Sequence, residues 1–230
     1  MYKYLLFDLD NTLLDFDLAE DKALNMLLKE QNVDNIEEFK EKYTSINKQL
    51  WHQLDNKEIS REFLINNRFR KLFSCFDIEV DGKHLAKRYE YFLSMQGYYL
   101  EGAVQLLDKL KDNYEIYAAT NGFYNIQTNR LENSSLQKYF KEVFISEVFD
   151  VQKPDKRFFE IASSKIPNFE KEKALMIGDN IFADIQGAKN FGIDSVWCNF
   201  KNIENNTGIL ATYEVKNYDE LLELLTNSNN

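Results

Sequence analysis

Residues 3–14 read KYLLFDLDNTLL, and this stretch decides the fold of the chain. Its apolar part, Tyr4–Phe7, is a short continuous run of the kind that forms a strand buried on both faces of a parallel sheet. Asp8 and Asp10 follow at once, and side chains two residues apart on a strand share a face. Because open α/β sheets bind ligands at the carboxyl ends of their strands, and close carboxylates repel without a cation, this pair indicates a functional site.

The composition is that of a globular protein. The chain has 230 residues, 44% of them hydrophobic, which is enough for one domain with a large insert or for two domains. Its 38 acidic residues exceed its 28 basic ones, and the formal net charge of -10 argues against binding to a nucleic-acid polymer. A small phosphorylated substrate stays compatible with this charge, since a bound metal can reverse the sign of the local field.

Cysteine usage and hydropathy together indicate a cytoplasmic protein. Cys75 and Cys198 are far apart in the sequence and show no metal-binding spacing, so no disulfide framework is expected. Asp8 and Asp10 interrupt the only apolar run near the start, so no signal peptide is predicted. No apolar stretch approaches membrane-spanning length, and we expect no membrane partner.

Residues 16–95 form a segment without strand patterns. The segment contains no proline, and its apolar residues recur at helical spacing. We predict four amphipathic helices here, the first over residues 17–31 and the fourth after Asp81 and Gly82. The segment therefore reads as a helical cap inserted after the first strand.

Strands and helices alternate from about Glu101 onward, which predicts a doubly wound parallel sheet of the Rossmann-like α/β class. The expected strands cover residues 114–119, 143–146, 174–177, 194–198 and 213–215, with helices between them, including one over residues 181–190. Residues 226–230 read as a frayed tail. The predicted organisation is a core of residues 1–15 and 96–230, interrupted by a cap of residues 16–95.

Polar side chains follow four of the predicted strands. They are Asp8 and Asp10 after the first, Thr120 after the second, Lys153 beyond the third, and Asp179 and Asp184 after the fourth. Each alone also fits a plain role, as a turn, a helix cap or a solvated lysine. The strand ends of a parallel sheet face one edge, however, so these residues can converge in one crevice. Several carboxylates around one point imply a hard cation, and an all-oxygen ligand set favours Mg²⁺ over Zn²⁺.

The order and spacing of these residues resemble the four motifs of the haloacid dehalogenase-like (HAD) superfamily in its phosphatase form. The first motif, Asp-x-Asp-x-Thr, is matched by residues 8–12, and the second by Thr120. The third, a lysine, is matched by Lys153 in QKPD, and the fourth, Gly-Asp-x-x-x-x-Asp, by residues 178–184. The helical insert looks like the C1-type cap of that family.

This resemblance implies a Mg²⁺-dependent phosphomonoester hydrolase that acts through an aspartyl-phosphate intermediate. It makes Asp8 the catalytic nucleophile, and Asp10 the general acid that protonates the leaving oxygen and then the base that activates water. It assigns the metal to Asp8, to Asp10 through its backbone carbonyl, to Asp179, and to Asp184 either directly or through water.

The resemblance also implies how the phosphate is held. Thr120 and the amide of Asn121 would bind a phosphoryl oxygen, while Lys153 would neutralise both the phosphate and the nucleophile. Phe16 follows the first motif and is expected where core meets cap. Its ring could stack on a nucleobase or could serve as a core side chain.

Three stretches resemble, more narrowly, the pyrimidine nucleotidase (5'-nucleotidase) branch of the superfamily. They are DLDNTLLDF at residues 8–16, TNGFYNIQTNRL at 120–131 and FISEVFDVQKPDKRFF at 144–159. Enzymes of that branch hydrolyse nucleoside 5'-monophosphates, so a pyrimidine mononucleotide is the expected substrate. Asp150 departs from the pattern, since relatives usually carry glycine there.

Several alternatives stay open. Sugar phosphate and N-acylneuraminate phosphate phosphatases look similar in these stretches, and a phosphomutase shares the motifs. A dehalogenase of the family lacks the second acidic residue of the first motif, so Asp10 argues against that activity. A non-catalytic interaction module on the same fold is disfavoured, because no motif residue is missing.

Overall fold

The computed structural model describes residues 1–227, except for the side chains of Asp55 and Asn227. The chain divides into two compact units, an α/β unit of Met1–Phe16 and Gly97–Asn230, and a helical unit of Asp17–Gln96. Residues 228–230 of the predicted tail lie outside the described residues, and the two residues before them belong to the last helix.

Four helices account for the helical unit, as predicted. These helices, α1 to α4, are Phe16–Glu30, Ile36–Asp55, Arg61–Ser74 and Gly82–Ser94. The side chain of Ser60 accepts from the amide of Phe63 and so caps α3, while that of Asp81 caps α4. Such caps satisfy amides that have no partner inside the helix, which explains where both helices begin.

A six-stranded parallel sheet forms the α/β unit, which confirms the predicted Rossmann-like core. Its strands, β1 to β6, are Tyr4–Phe7, Glu115–Thr120, Val143–Ile145, Ala174–Gly178, Asp194–Cys198 and Tyr213–Val215. Their order is β3-β2-β1-β4-β5-β6, with every pairing parallel. The direction of strand addition reverses between β1 and β4, and ligands of open α/β sheets bind at such a switch point.

Six further α-helices lie in the described part of this unit. These helices, α5 to α10, are Ala103–Leu110, Tyr124–Ser134, Ser146–Phe149, Lys156–Ser164, Gln186–Phe191 and Tyr218–Asn227. The short α7 was not predicted. Asp150 ends it with φ 51°, in the left-handed conformation that glycine adopts without strain.

The helix expected over residues 181–190 is divided in the structure. A π-helical turn, Ile181–Ile185, precedes α9, so the prediction of one regular α-helix was wrong. The cause is Asn180, whose backbone carbonyl accepts from the amides of both Asp184 and Ile185. Its side-chain oxygen also accepts from the amides of the two residues before Asp184. The widened turn is a local feature of the kind often found at functional sites.

Helices cover both faces of the sheet. Leu5 and Phe7 of β1 belong to one apolar core, to which α5 and α10 contribute, whereas Tyr4 and Leu6 belong to a second core, to which α8 and α9 contribute. Successive residues of a strand point to opposite faces, so the continuous apolar run of β1 is what burial on both faces requires. In the part of the chain that is described, no helix is long and apolar enough to cross a membrane.

Candidate active site

The site lies at the carboxyl ends of β1, β2 and β4. The amide of Asp8 donates to the carbonyl of Ile177 at 2.8 Å, which places Asp8 beside the end of β4. On the other side, Phe7 pairs with Ala118 of β2, so that Thr120 ends the neighbouring strand. The switch point of the sheet therefore brings the motifs of the first, second and fourth strands to one place.

Lys153 is a buried cation at the centre of this group. Its Nζ donates to Asp8 Oδ1 at 2.8 Å, to Asp184 Oδ1 at 2.5 Å and to the carbonyl of Ala119 at 2.6 Å. These three bonds use all the hydrogens of the ammonium group. Burial alone would lower the pKa of Lys153, but the charges of Asp184 and Asp8 outweigh it and raise the pKa above its usual value. Lys153 is thus held beside Asp8 in its charged form.

Asn121 fixes the backbone of Lys153. Its side-chain nitrogen donates to the carbonyl of Lys153, and its side-chain oxygen accepts from the amide of Lys153, both at 2.9 Å. The loop after β2 is thereby tied to the segment that carries the lysine. Sequence patterns pointed to the backbone amide of Asn121, and they gave no sign of this side-chain clamp.

Asp8, Asp179 and Asp184 form a cluster of carboxylates, with one oxygen of each within 4.8 Å of the others. Burial, together with the charges of the other aspartates, raises the pKa of Asp8 well above its usual value, although Lys153 opposes this. Burial and the charge of Asp184 raise the pKa of Asp179 to about 7. Three crowded carboxylates are the donor set that Mg²⁺ prefers, and a divalent cation would relieve their repulsion. The residues present therefore fit a magnesium ion.

The two acids after β4 are held in different ways. Trp197 Nε1 donates to the backbone carbonyl of Asp179 at 2.8 Å, while no residue among 1–227 donates to the Asp179 carboxylate. Asp184 is fully buried, and its Oδ2 accepts from the amide of Asn180 at 3.0 Å. A Cβ atom on Gly178 would lie 2.2 Å from that same oxygen, so the glycine leaves the space that Asp184 occupies.

The carboxylate of Asp10 contacts helix α6. Its Oδ2 accepts from Gln127 Nε2 at 2.9 Å, and its Oδ1 pairs with Arg130 Nη1. The guanidinium of Arg130 also lies over the ring of Phe16, at 5.6 Å from its centroid. Neither Gln127 nor Arg130 was assigned a role from the sequence, although both lie in the stretch 120–131 that carries the resemblance. Their spacing of three residues, which places them on one face of a helix, was the available signal.

Thr120 lies between these two groups of residues. Its Oγ1 accepts from the amide of Gly122 at 3.0 Å and from Gln127 Nε2 at 2.8 Å. Lys153 bonds to the residue before it, Ala119. The structure thus bonds Lys153 to Asp8 and Asp184, places a carboxylate oxygen of Asp179 within 4.8 Å of theirs, and joins Asp10 to Thr120 through Gln127.

A parallel sheet with an aspartate at its switch point, bonded to a buried lysine beside two further acids, defines a hydrolase of the haloacid dehalogenase-like class. The family model for haloacid dehalogenase-like hydrolases matches residues 2–192, and the chain belongs to that family. The family assignment made from the motifs is confirmed, and the protein is an enzyme.

Individual relatives are also similar. The chain is 53% identical over 225 residues to the pyrimidine 5'-nucleotidase PynA of Streptococcus pneumoniae, covering 97% of this chain and 95% of that protein. It is 32% identical over 227 residues to the pyrimidine 5'-nucleotidase YjjG of Escherichia coli, covering 97% and 98% respectively. The crystal structure of the HAD-hydrolase YfnB from Bacillus subtilis, bound to magnesium, matches with a TM-score of 0.94 at 37% identity, over 97% of this chain and 98% of that chain.

Proposed function

We propose that this hydrolase is a Mg²⁺-dependent phosphatase of nucleoside 5'-monophosphates and that it prefers pyrimidine nucleotides. The observation that carries the reaction type is the Asp8 carboxylate, bonded to Lys153 and crowded by Asp179 and Asp184 at the switch point. The substrate class is supported by the two relatives named pyrimidine 5'-nucleotidases.

Asp8 is the proposed nucleophile. Lys153 bonds to Oδ1, and no residue among 1–227 donates to Oδ2, which leaves that oxygen for attack on phosphorus. Attack forms an acyl phosphate on Asp8 and breaks the bond to the nucleoside 5'-oxygen, which takes a proton from Asp10. Asp10 then takes a proton from water as that water attacks phosphorus, so inorganic phosphate leaves and Asp8 is restored.

Charge and hydrogen bonds around the phosphate come from the neighbouring loops. We assign Lys153, the hydroxyl of Thr120 and the backbone amide of Asn121 to the phosphoryl oxygens. The Asn121 side chain supports this arrangement, because it ties the loop after β2 to Lys153. Donors held in this way need little reorganisation as negative charge spreads in the transition state.

The proposed magnesium ligands are Asp8, Asp179 and the backbone carbonyl of Asp10, with Asp184 binding directly or through water. When bound, the ion supplies positive charge that offsets the repulsion between the substrate phosphate and the carboxylates. The raised pKa values of Asp8 and Asp179 support this proposal, since they come from burial first and then from the charges of neighbouring aspartates, which Lys153 only partly offsets.

We propose that the helical segment, residues 16–95, acts as a C1-type cap that selects the leaving group, with residues 1–15 and 96–230 as the catalytic core. Phe16 keeps its two proposed roles, as a core side chain or as a stacking surface for the base. We also propose a cytoplasmic location, because Cys75 and Cys198 are both free thiols, the state that a reducing compartment maintains.

Phosphate release from a substrate panel at one Mg²⁺ concentration tests this function. The panel contains UMP, dUMP, dTMP, AMP, GMP, glucose 6-phosphate and a phosphorylated N-acylneuraminate. We expect the highest kcat/KM for the pyrimidine nucleotides and none after removal of metal with EDTA. A sugar phosphate that leads by tenfold, or ~1.4 kcal/mol of transition-state preference, would refute the nucleotidase proposal while leaving the phosphatase proposal intact.

A further inference from the structure

Two buried side chains of α6, Gln127 and Arg130, form the hydrogen-bond network that connects Asp10 to Thr120. Gln127 Nε2 donates both to Asp10 Oδ2 at 2.9 Å and to Thr120 Oγ1 at 2.8 Å. Arg130 Nη1 donates to Asp10 Oδ1 and, at 3.3 Å, to Gln127 Oε1. Gln127 is 1% exposed and Arg130 is 0% exposed, so both donors are shielded from water, whereas the Asp10 side chain is 29% exposed. Asp10 is therefore bonded at both of its carboxylate oxygens by one face of α6.

The amide of Gln127 can take only one orientation in this network. A side-chain amide has two hydrogens, and here one serves Asp10 and the other serves Thr120. Its oxygen faces the guanidinium of Arg130. A flipped amide would place its oxygen against two acceptors and its hydrogens against a donor. Gln127 thus holds a proposed acid and a proposed phosphate ligand with a single rigid group.

The network also determines where the Thr120 hydroxyl points. A hydroxyl oxygen has two lone pairs, and those of Thr120 accept from Gln127 and from the amide of Gly122. Its one hydrogen is consequently left to donate. A donor fixed in this direction is what a phosphoryl oxygen needs at the end of β2.

Gly122 leaves the room that Gln127 needs. A Cβ atom on Gly122 would lie 2.5 Å from Gln127 Cγ, 2.6 Å from its Cδ and 2.7 Å from its Nε2. The backbone of Gly122 does not lie in the left-handed region, so alanine can adopt the same backbone conformation without strain. An added methyl group would instead push the Gln127 side chain away from its two partners.

We propose that Gln127 and Arg130 are positioning residues of the reaction, Arg130 for Asp10 and for the amide of Gln127, and Gln127 for Asp10 and Thr120 together. The inference rests on the proposed phosphatase function. A proton donor is effective only when it is held within hydrogen-bond reach of the leaving oxygen. Loss of either residue lets the Asp10 carboxylate leave that position, and loss of Gln127 also frees the Thr120 hydroxyl to turn.

The leaving group distinguishes positioning from a general structural role. A nucleoside 5'-oxygen leaves only when it is protonated, whereas nitrophenolate leaves from p-nitrophenyl phosphate without a proton. The ratio kcat/KM covers all steps up to departure of that group. A residue that positions the acid therefore affects UMP far more than p-nitrophenyl phosphate, while a merely structural defect lowers both equally.

The experiment measures kcat/KM on both substrates for R130L, R130K, Q127L and G122A. We expect R130L to lose roughly 100-fold on UMP and less than about 5-fold on p-nitrophenyl phosphate. R130K should recover part of the UMP loss, because lysine keeps the charge next to Asp10. Q127L should lose activity on both substrates, with the larger loss on UMP, and G122A should behave like Q127L.

Matched controls are Q137L and R157K, which change exposed residues of the same unit. They should leave kcat/KM unchanged both for UMP and for p-nitrophenyl phosphate. Thermal unfolding checks that each variant folds, and if R130L does not, R130K and G122A carry the test. Equal losses on the two substrates, or no loss, overturn the positioning roles while the proposed function stands. A wild-type enzyme that hydrolyses neither substrate overturns both.

Discussion

Replacing Lys153 with methionine removes a cation that the structure places between Asp8 and Asp184. Lys153 is 2% exposed, and its side chain bonds to both carboxylates and to the carbonyl of Ala119. Breaking a buried ion pair from one side costs about 3–5 kcal/mol, because an uncompensated charge is left behind. We expect K153M to lose about that much folding free energy at neutral pH without metal, which is a large part of a typical total of ~5–15 kcal/mol.

The loss should depend on pH in a defined direction. The pKa values of Asp8 and Asp179 are already raised by burial and by neighbouring charge, to about 7 for Asp179. A carboxyl whose folded-state pKa is raised stabilises the fold at low pH, and this stability is lost as pH rises from its ordinary pKa through the folded value. Without Lys153 this effect grows, so the deficit of K153M should be smallest near pH 5 and largest near pH 8. Millimolar Mg²⁺ should restore part of it.

Urea unfolding of wild type and K153M, at pH 5 and pH 8 and with or without Mg²⁺, measures these differences. K156M is a matched control, since Lys156 is exposed and pairs with Glu160 in an exposed contact. A K153M protein as stable as wild type at pH 8 without metal would refute the view that Lys153 compensates buried carboxylates. A deficit that grows toward low pH would refute it equally.

Three other changes follow from the same geometry. D8N should fold normally yet lose at least ~10³-fold in kcat, because an amide oxygen is a poor nucleophile, and a loss below tenfold would contradict its role. G178A should displace Asp184, since the new Cβ would lie 2.2 Å from its Oδ2. The Mg²⁺ concentration needed for half-maximal activity should therefore rise, and an unchanged Mg²⁺ dependence would contradict this prediction. D150G should raise the free energy of unfolding, measured in urea, by about 0.5 kcal/mol and leave kcat unchanged. Glycine relieves the strain of the left-handed backbone at this position, and its greater entropy in the unfolded chain offsets part of that gain.

Local sequence signals were enough to place most elements of the α/β unit. The apolar run before Asp8 predicted β1 because burial on both faces demands such a run, and β5 and β6 were placed at their observed bounds. The π-helical turn after β4 was missed because it depends on how one residue, Asn180, shares its backbone and side-chain oxygens. No periodicity in the sequence indicates which backbone amides bond to these oxygens.

The motif residues of the site could be predicted from the sequence, but the hydrogen bonds and ion pairs between them could not. Lys153 and Asp184 are 31 residues apart, and the sequence indicated only that both follow strands of one sheet. Gln127 and Arg130 lie 117 and 120 residues from Asp10, so their contacts depend on how the fold places α6 beside the loop that follows β1. From the sequence alone, buried polar side chains on a helix cannot be told apart from other core residues. Only the folded structure shows which groups they bond to.

Acid quenching during turnover, followed by peptide mass spectrometry, tests the central claim that Asp8 carries the phosphoryl group. The enzyme is mixed with Mg²⁺ and UMP, quenched within one turnover and digested. We predict a phosphoryl group on the peptide that contains Asp8, and its absence from the D8N variant treated in the same way. A phosphoryl group found on another residue, or phosphate released from UMP with no phosphorylated enzyme at any quench time, would contradict the account.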